Sequence, residues 1–244
     1  ICVDIGNTNI VIGVYNDSSL LEIGRLETAH PNIEKELDLK KYNYIAISSV
    51  VPSVEKALIN QLDSEDFFSV SHLNSNIKLD VDSPQDVGND RICNIKAAIT
   101  ENLYPSIIID FGSATTYDVV DSNGCFIGGV IAPGIDISAE HLFKKAEQLN
   151  KVPLVLPQKV IGKNTITNLQ SGIMYGGIGA INGMIYRIKE EMNNSIKYIV
   201  LTGGFSSTLS EHITHLHSID ASLTLKGIKL IWEENQKWFY PIIG

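Results

Sequence analysis

Residues 1–15, ICVDIGNTNIVIGVY, carry a β-prone apolar stretch into Asp4-Ile5-Gly6, turn on Asn7 and Thr8, and leave through a second β-prone stretch. The plan returns at residues 107–120, IIIDFGSATTYDVV, where Asp110-Phe111-Gly112 leads into Ser113-Ala114-Thr115. Alone, Asp-x-Gly reads as a β-turn and nothing more. Two copies at matching places in one chain read as equivalent parts of a duplicated domain.

Working outward from the first copy, alternation and β-branched content predict strands over 2–4, 9–15, 20–27 and 44–49. A helix is expected after Pro52 and another over 90–102, with Ile92, Ile95 and Ile99 on one face. Tyr104-Pro105 breaks the chain. Around the second copy, strands are expected over 107–111, 115–121 and 126–131, with Asn123-Gly124 as the hairpin turn of the last two. Helices should follow Pro133 and Asn164, and a strand over 198–201 should end in Thr202-Gly203-Gly204. Strand, hairpin and helix thus occur twice, which predicts an α/β protein of two like halves, 1–103 and 104–244.

The 244 residues suffice for one large or two modest cores, and 44% apolar against 19% charged is a globular balance. A net charge of −9, with no Lys/Arg cluster longer than a pair, argues against a nucleic-acid backbone binder. No apolar run approaches the ~20 residues that span a bilayer, so no membrane segment is expected and the protein is expected in the cytoplasm. Cys2, Cys93 and Cys125 lack the paired spacing of a zinc site and read as reduced thiols.

A turn built twice makes sense if both copies face one ligand across a cleft. In each, Gly permits a tight reversal, and the following N–H groups with the hydroxyls of Thr8, Ser113 and Thr115 suit phosphate oxygens. The carboxylates then pose a problem. A carboxylate ~4 Å from a phosphate charge costs about 4 kcal/mol at an effective dielectric near 20, so a cation has to stand between them. Magnesium is the expected one, because it joins carboxylates to substrate phosphates while keeping its own waters.

Other phosphate motifs fail. Gly162-Lys163 is followed by Asn164, and Pro157 holds the first glycine position of a P-loop. The run GGIGAING at 176–183 has Asn182 where a dinucleotide loop needs another residue, and it lies inside a helical pattern. His212, His215 and His217 lack a shared register and read as a solvated patch. The spacing of Gly172, Gly176, Gly179 and Gly183, with Gly177 beside them, marks one helix face for close approach, either to a partner subunit or within the chain.

DIGNTN, DFGSATT, VGNDR, GGVIAPGI, VIGKNT and TGG occur in one order, and together they resemble type III pantothenate kinase, a branch of the actin-like ATPase superfamily with ribonuclease H-like halves. The resemblance runs from Asp4 to about Leu230. It implies ATP-dependent phosphorylation of the terminal hydroxyl of pantothenate, the first step toward coenzyme A, by a homodimer that needs magnesium and potassium or ammonium. Nucleotide would lie in a cleft between the halves. Asp4, Ile5, Gly6, Asn7, Thr8, Asn9, Ile10 and Val11 would form the first ATP-binding turn, with Ser113 on the second. Asp110 would hold the monovalent cation. Gly88, Asn89, Asp90, Arg91 and Thr165 would bind pantothenate, with Asp90, an ordinary carboxylate, as proton acceptor.

Two of these positions carry a plain structural alternative: Asp90 can cap the helix that follows it, and Asn164 or Thr165 the next one. Arg91 favours a task beyond capping, because a cation in a first helical turn opposes the macrodipole, and a substrate carboxylate would suit it. The chain departs from the family with Ser113 for Thr and Val81 for a substrate-touching Tyr. The competing readings are a nucleotide-dependent regulator of the same fold and a sugar or acetate kinase of the superfamily. Intact Asp4, Asp90, Arg91 and Asp110 favour the enzyme over the regulator.

Overall fold

In a computed structural model, residues 1–16, 19–29, 42–62, 67–146 and 148–236 are described. Two five-stranded sheets organise the chain. The first contains β1 (Cys2–Ile5), β2 (Asn9–Asn16), β3 (Ser19–Glu27), β4 (Ile45–Ser49) and β5 (Phe67–Ser69), in the order β3-β2-β1-β4-β5. The second contains β6 (Ser106–Phe111), β7 (Ala114–Val120), β8 (Phe126–Pro133), β9 (Tyr198–Gly203) and β10 (Ser218–Ile219). Its order, read from β8, is β8-β7-β6-β9-β10. Strand for strand this is the first sheet again, with an antiparallel hairpin on one side of the central strand and parallel neighbours on the other.

The expected strands all form, to within two residues at their ends. The short β5 and β10 were not expected. Each is a parallel edge strand of three residues or fewer, too brief to show alternation. In place of a two-residue hairpin, residues 121–125 form a longer loop, in which the Asp121 carboxylate accepts the N–H and the side-chain amide of Asn123 at 2.8 and 3.0 Å.

The helices are α1 (Pro52–Leu62), α2 (Asn89–Thr100), α3 (Ile135–Lys145), α4 (Thr165–Glu191), α5 (Ser206–Ser210) and α6 (Leu223–Gln236). No helix among the described residues is long and apolar enough to cross a membrane.

The chain forms two compact units, but it does not divide at a single point. The first unit takes Ile1–Asn102 together with Gly124–Ile127 and the segment that carries α6, and the second takes the remainder. Packing between helices explains the return of α6. A Cβ on Gly227 would strike the backbone of Cys93, so the two helix backbones cross in direct contact there. Thr224 Oγ1 donates to Asn94 Oδ1 at 2.8 Å, and the buried Lys96 ammonium meets Glu234 at 2.6 Å. Val3, Ile5, Ile10, Ile12, Ile45, Ile47 and Leu58 form the core under the first sheet.

In the second unit the glycine face of α4 splits. Gly177 packs on Ile135, which a Cβ would reach at 3.1 Å. For Gly172, Gly176, Gly179 and Gly183 no described residue supplies a within-chain contact. All four are exposed, and an added Cβ would meet nothing within 4 Å among the described residues.

Candidate active site

Backbone bonds close the first turn. Gly6 N–H donates to Asn9 O at 3.0 Å, and Thr28 clamps the turn from the end of β3. The Thr28 hydroxyl donates to Gly6 O at 2.8 Å and its N–H to Thr8 O at 3.0 Å. Ile5 and Ile10 are buried beneath the turn, Asp4, Asn9 and Val11 are half-buried, and Asn7 and Thr8 stand exposed at its tip. The apolar strand ends therefore anchor an exposed polar loop at Asn7 and Thr8.

Asp4 lies opposite Ser48 in the parallel register of β1 and β4, and Ser48 Oγ donates to Asp4 Oδ1 at 3.0 Å. One residue on, Ser49 O accepts the side-chain amide of Asn89 at 3.1 Å, which ties the end of β4 to the head of α2. Gly88 is the N-cap of α2, so Asp90 is not the cap; from the first turn its carboxylate accepts the Arg91 N–H at 2.8 Å. A Cβ on Gly88 would stand 2.6 Å from Asp90 Oδ1, so only glycine leaves the carboxylate in place.

The expectation of an ordinary Asp90 carboxylate is corrected. Burial pushes it up, and the N–H groups of Arg91 and Asp90 with the Arg91 guanidinium offset that only in part.

Arg91 lies over the ring of Phe126, 5.5 Å from its centroid. Phe126 is 1% exposed and is held by a short ladder, with Asp80 N–H donating to its carbonyl at 2.8 Å and its own N–H donating to Lys78 O at 3.0 Å. Val81 follows this ladder, half-buried. Cys93, fully buried one turn beyond Asp90, has a thiol pushed well up by burial and raised further by both Asp4 and Asp90. The first unit thus gathers Asp4, Asp90, Arg91 and the first turn around one helix head.

The second unit repeats the arrangement. Asp110 lies opposite Thr202 in the parallel register of β6 and β9. The turn is closed by Gly112 N–H donating to Ala114 O and is approached by Gly134 N–H donating to Ser113 O, both at 3.1 Å. Gly134 is the N-cap of α3, so Ser113 sits beside a helix N-terminus, a setting that favours anions. Gly203, at φ +84°, is where a Cβ would run into the Asp110 carboxylate. Both its backbone and its missing side chain are needed there.

Thr165, the first residue of α4, is exposed, and the cap is Asn164, in a reciprocal box with Thr167. The capping alternative therefore holds for Asn164.

Asp4 in the first unit and Asp110 in the second each offer hard carboxylate oxygens, the donors that magnesium takes, and a Cβ-free wall stands beside Asp110. Among the described residues no three His, Cys, Asp or Glu side chains gather into a cage, the His212–His217 stretch included. Magnesium bound by one or two carboxylates plus phosphates fits such a donor set, and a zinc site does not.

Sequence reasoning missed Ser48, Phe126 and the wall formed by Gly203. Ser48 is separated from Asp4 by 44 residues, and only strand register joins them.

The repeated strand order and the two carboxylate-bearing turns define a duplicated α/β protein of the actin-like fold. The sequence model of the type III pantothenate kinase family matches residues 1–187. A type III pantothenate kinase of Exiguobacterium sibiricum is 35% identical over 251 residues, covering 96% of this chain and 98% of that protein. One from Halalkalibacterium halodurans is 36% identical over 252 residues, again covering 96% and 98%. In fold, the crystal structure of a conserved putative Baf family transcriptional activator from Campylobacter jejuni matches with a TM-score of 0.64 at 24% identity, over 97% of this chain and 98% of that one. The chain belongs to the type III pantothenate kinase family. Its reaction is the phosphorylation of pantothenate in coenzyme A biosynthesis, with ATP as phosphoryl donor. The regulatory reading is not favoured.

Burial of Asp90 gives a signed prediction. Its folded pKa is raised, so its contribution to stability is full below the ordinary value of 3.8 and is lost as pH rises through the folded pKa. Asp90→Asn removes this loss. Urea unfolding at a series of pH values should show the variant gaining on the parent as pH rises above 3.8, with the difference levelling off once Asp90 is ionised. A difference independent of pH would contradict the burial argument.

Proposed function

We propose that Asp90 is the proton acceptor of the kinase reaction. The observation that supports this most directly is the half-buried carboxylate at the head of α2, kept in place by Gly88 and by the Arg91 N–H. The terminal hydroxyl oxygen of pantothenate forms a bond to the γ-phosphorus of ATP, its proton passes to Asp90, and the bond from phosphorus to the ADP oxygen breaks. A carboxylate displaced upward from the ordinary range is a better match for a base working near neutral pH. Arg91, steadied over Phe126, is placed to pair with the substrate carboxylate, and Gly88, Asn89 and Thr165 complete the pantothenate contacts.

Asp4, Ile5, Gly6, Asn7, Thr8, Asn9, Ile10 and Val11 bind the phosphates of ATP through the turn's N–H groups and the Thr8 hydroxyl. Ser113 offers a hydroxyl from the second turn. Magnesium at Asp4 and potassium or ammonium at Asp110, when bound, supply the positive charge that offsets the repulsion between carboxylate and phosphate. Val81 in place of Tyr removes a polar contact to substrate, worth about 1 kcal/mol of binding.

We further propose a homodimer in which the exposed face of Gly172, Gly176, Gly179 and Gly183 meets a second copy. Each mid-helix glycine costs ~1 kcal/mol against alanine, and among the described residues nothing offsets that cost at these four.

Three measurements test these assignments. Asp90→Asn should fold and bind ATP while turnover with pantothenate falls by about 100-fold or more, and near-normal turnover would remove Asp90 from the mechanism. Turnover should rise sharply when potassium replaces sodium, and Asp110→Ala should abolish most of that response; equal rates in both salts would refute the cation assignment. In sedimentation, Gly176→Leu should shift the protein toward monomer, whereas an unchanged dimer would place the interface elsewhere.

A further inference from the structure

We infer that Ser48 is a positioning residue for the Asp4 carboxylate. This rests on the reading that Asp4 serves the cation accompanying ATP.

The residues of β4 are buried throughout, as suits an interior parallel strand, and such a strand is normally a run of Val, Ile and Leu. Ile45 and Ile47 follow that rule and enter the core. Ser48 does not, although it is 0% exposed. A buried hydroxyl is costly without a partner and weakens a strand that Val would strengthen, so its retention calls for a function.

Register supplies the partner. Asp4 and Ser48 are opposed across parallel strands, hence on one face of the sheet, and the hydroxyl donates to Asp4 Oδ1 at 3.0 Å. One carboxylate oxygen is thereby fixed in direction, and the carboxylate cannot swing when a cation arrives.

A second, independent observation supports a task. In the other unit Thr202, 1% exposed, lies opposite Asp110 in the same parallel register. Both turns of the duplicated fold therefore carry a buried hydroxyl residue opposite their carboxylate.

The test is a double-mutant cycle on the full chain, read by calorimetric ATP binding with magnesium and in EDTA, together with melting temperature. Ser48→Ala should weaken binding with magnesium by about tenfold, the scale of a lost hydrogen bond to a charged group, and leave binding in EDTA unchanged. Ser48→Thr, which keeps the hydroxyl, should recover most of the loss. In an Asp4→Asn background Ser48→Ala should have no further effect. Equal weakening in both buffers, or an effect that persists beside Asp4→Asn, would mean that Ser48 is merely structural. If Asp4→Asn itself leaves the ratio of the two affinities unchanged, the cation reading of Asp4 fails and this inference with it. If Asp4→Asn shifts that ratio and Ser48→Ala does not, only the inference fails. Should Ser48→Ala not fold, Ser48→Cys, a weaker donor of similar size, should shift the ratio in the same direction by less, and no shift would overturn the proposal.

Discussion

Under the proposed assignment a carboxylate has to stand beside phosphate without swinging and without repelling it, and strand register sets where each carboxylate stands. Each carboxylate is placed by the end of a central strand that is antiparallel to its hairpin partner and parallel to its other neighbour. The hairpin side makes the turn, through Ile5 opposite Ile10 and Phe111 opposite Thr115. The parallel side supplies the residue opposite the carboxylate, Ser48 for Asp4 and Thr202 for Asp110. A slip of one residue in either register would send the carboxylate to the other face and dismantle turn and partner together.

Around the first turn, burial and charge act in opposite directions on Asp90. Desolvation raises its pKa, while two N–H groups and Arg91 favour the ionised form without prevailing. The same burial keeps the neighbouring Cys93 thiol neutral. Under the proposed roles, one carboxylate held by a hydroxyl and another perturbed by burial divide charge placement from proton transfer, as identical carboxylates in identical settings could not.

The two units share a sheet topology and differ in what was added. In the second, α3 and the 27-residue α4 stand between β8 and β9, and α4 carries four glycines into open space. In the first, α6 lies backbone to backbone on α2 at Gly227 and Cys93, and the Lys96–Glu234 pair reinforces the contact. That contact braces the helix whose first turn carries Asp90 and Arg91, so a helix from late in the sequence supports the segment proposed to be catalytic.

The duplicated turn and the strand and helix pattern around each copy were legible in the sequence, because they depend on local chemistry. Asp-x-Gly fixes a reversal, alternation sets a strand, and Pro or Asn starts a helix. The extent of β5 and β10, the return of α6 to the first unit, the cap at Gly88 and the raised pKa of Asp90 were not legible. Each depends on groups far apart in the chain: Phe126 reaches Arg91 from a distant strand of unrelated pattern, and Ser48 meets Asp4 only through strand pairing. Propensity and spacing act over a few residues, whereas burial, register and close backbone approach are properties of the assembled sheet and helices. The sequence alone therefore determined which side chains the chemistry has available, and only tertiary packing decided their protonation, their orientation and what holds them.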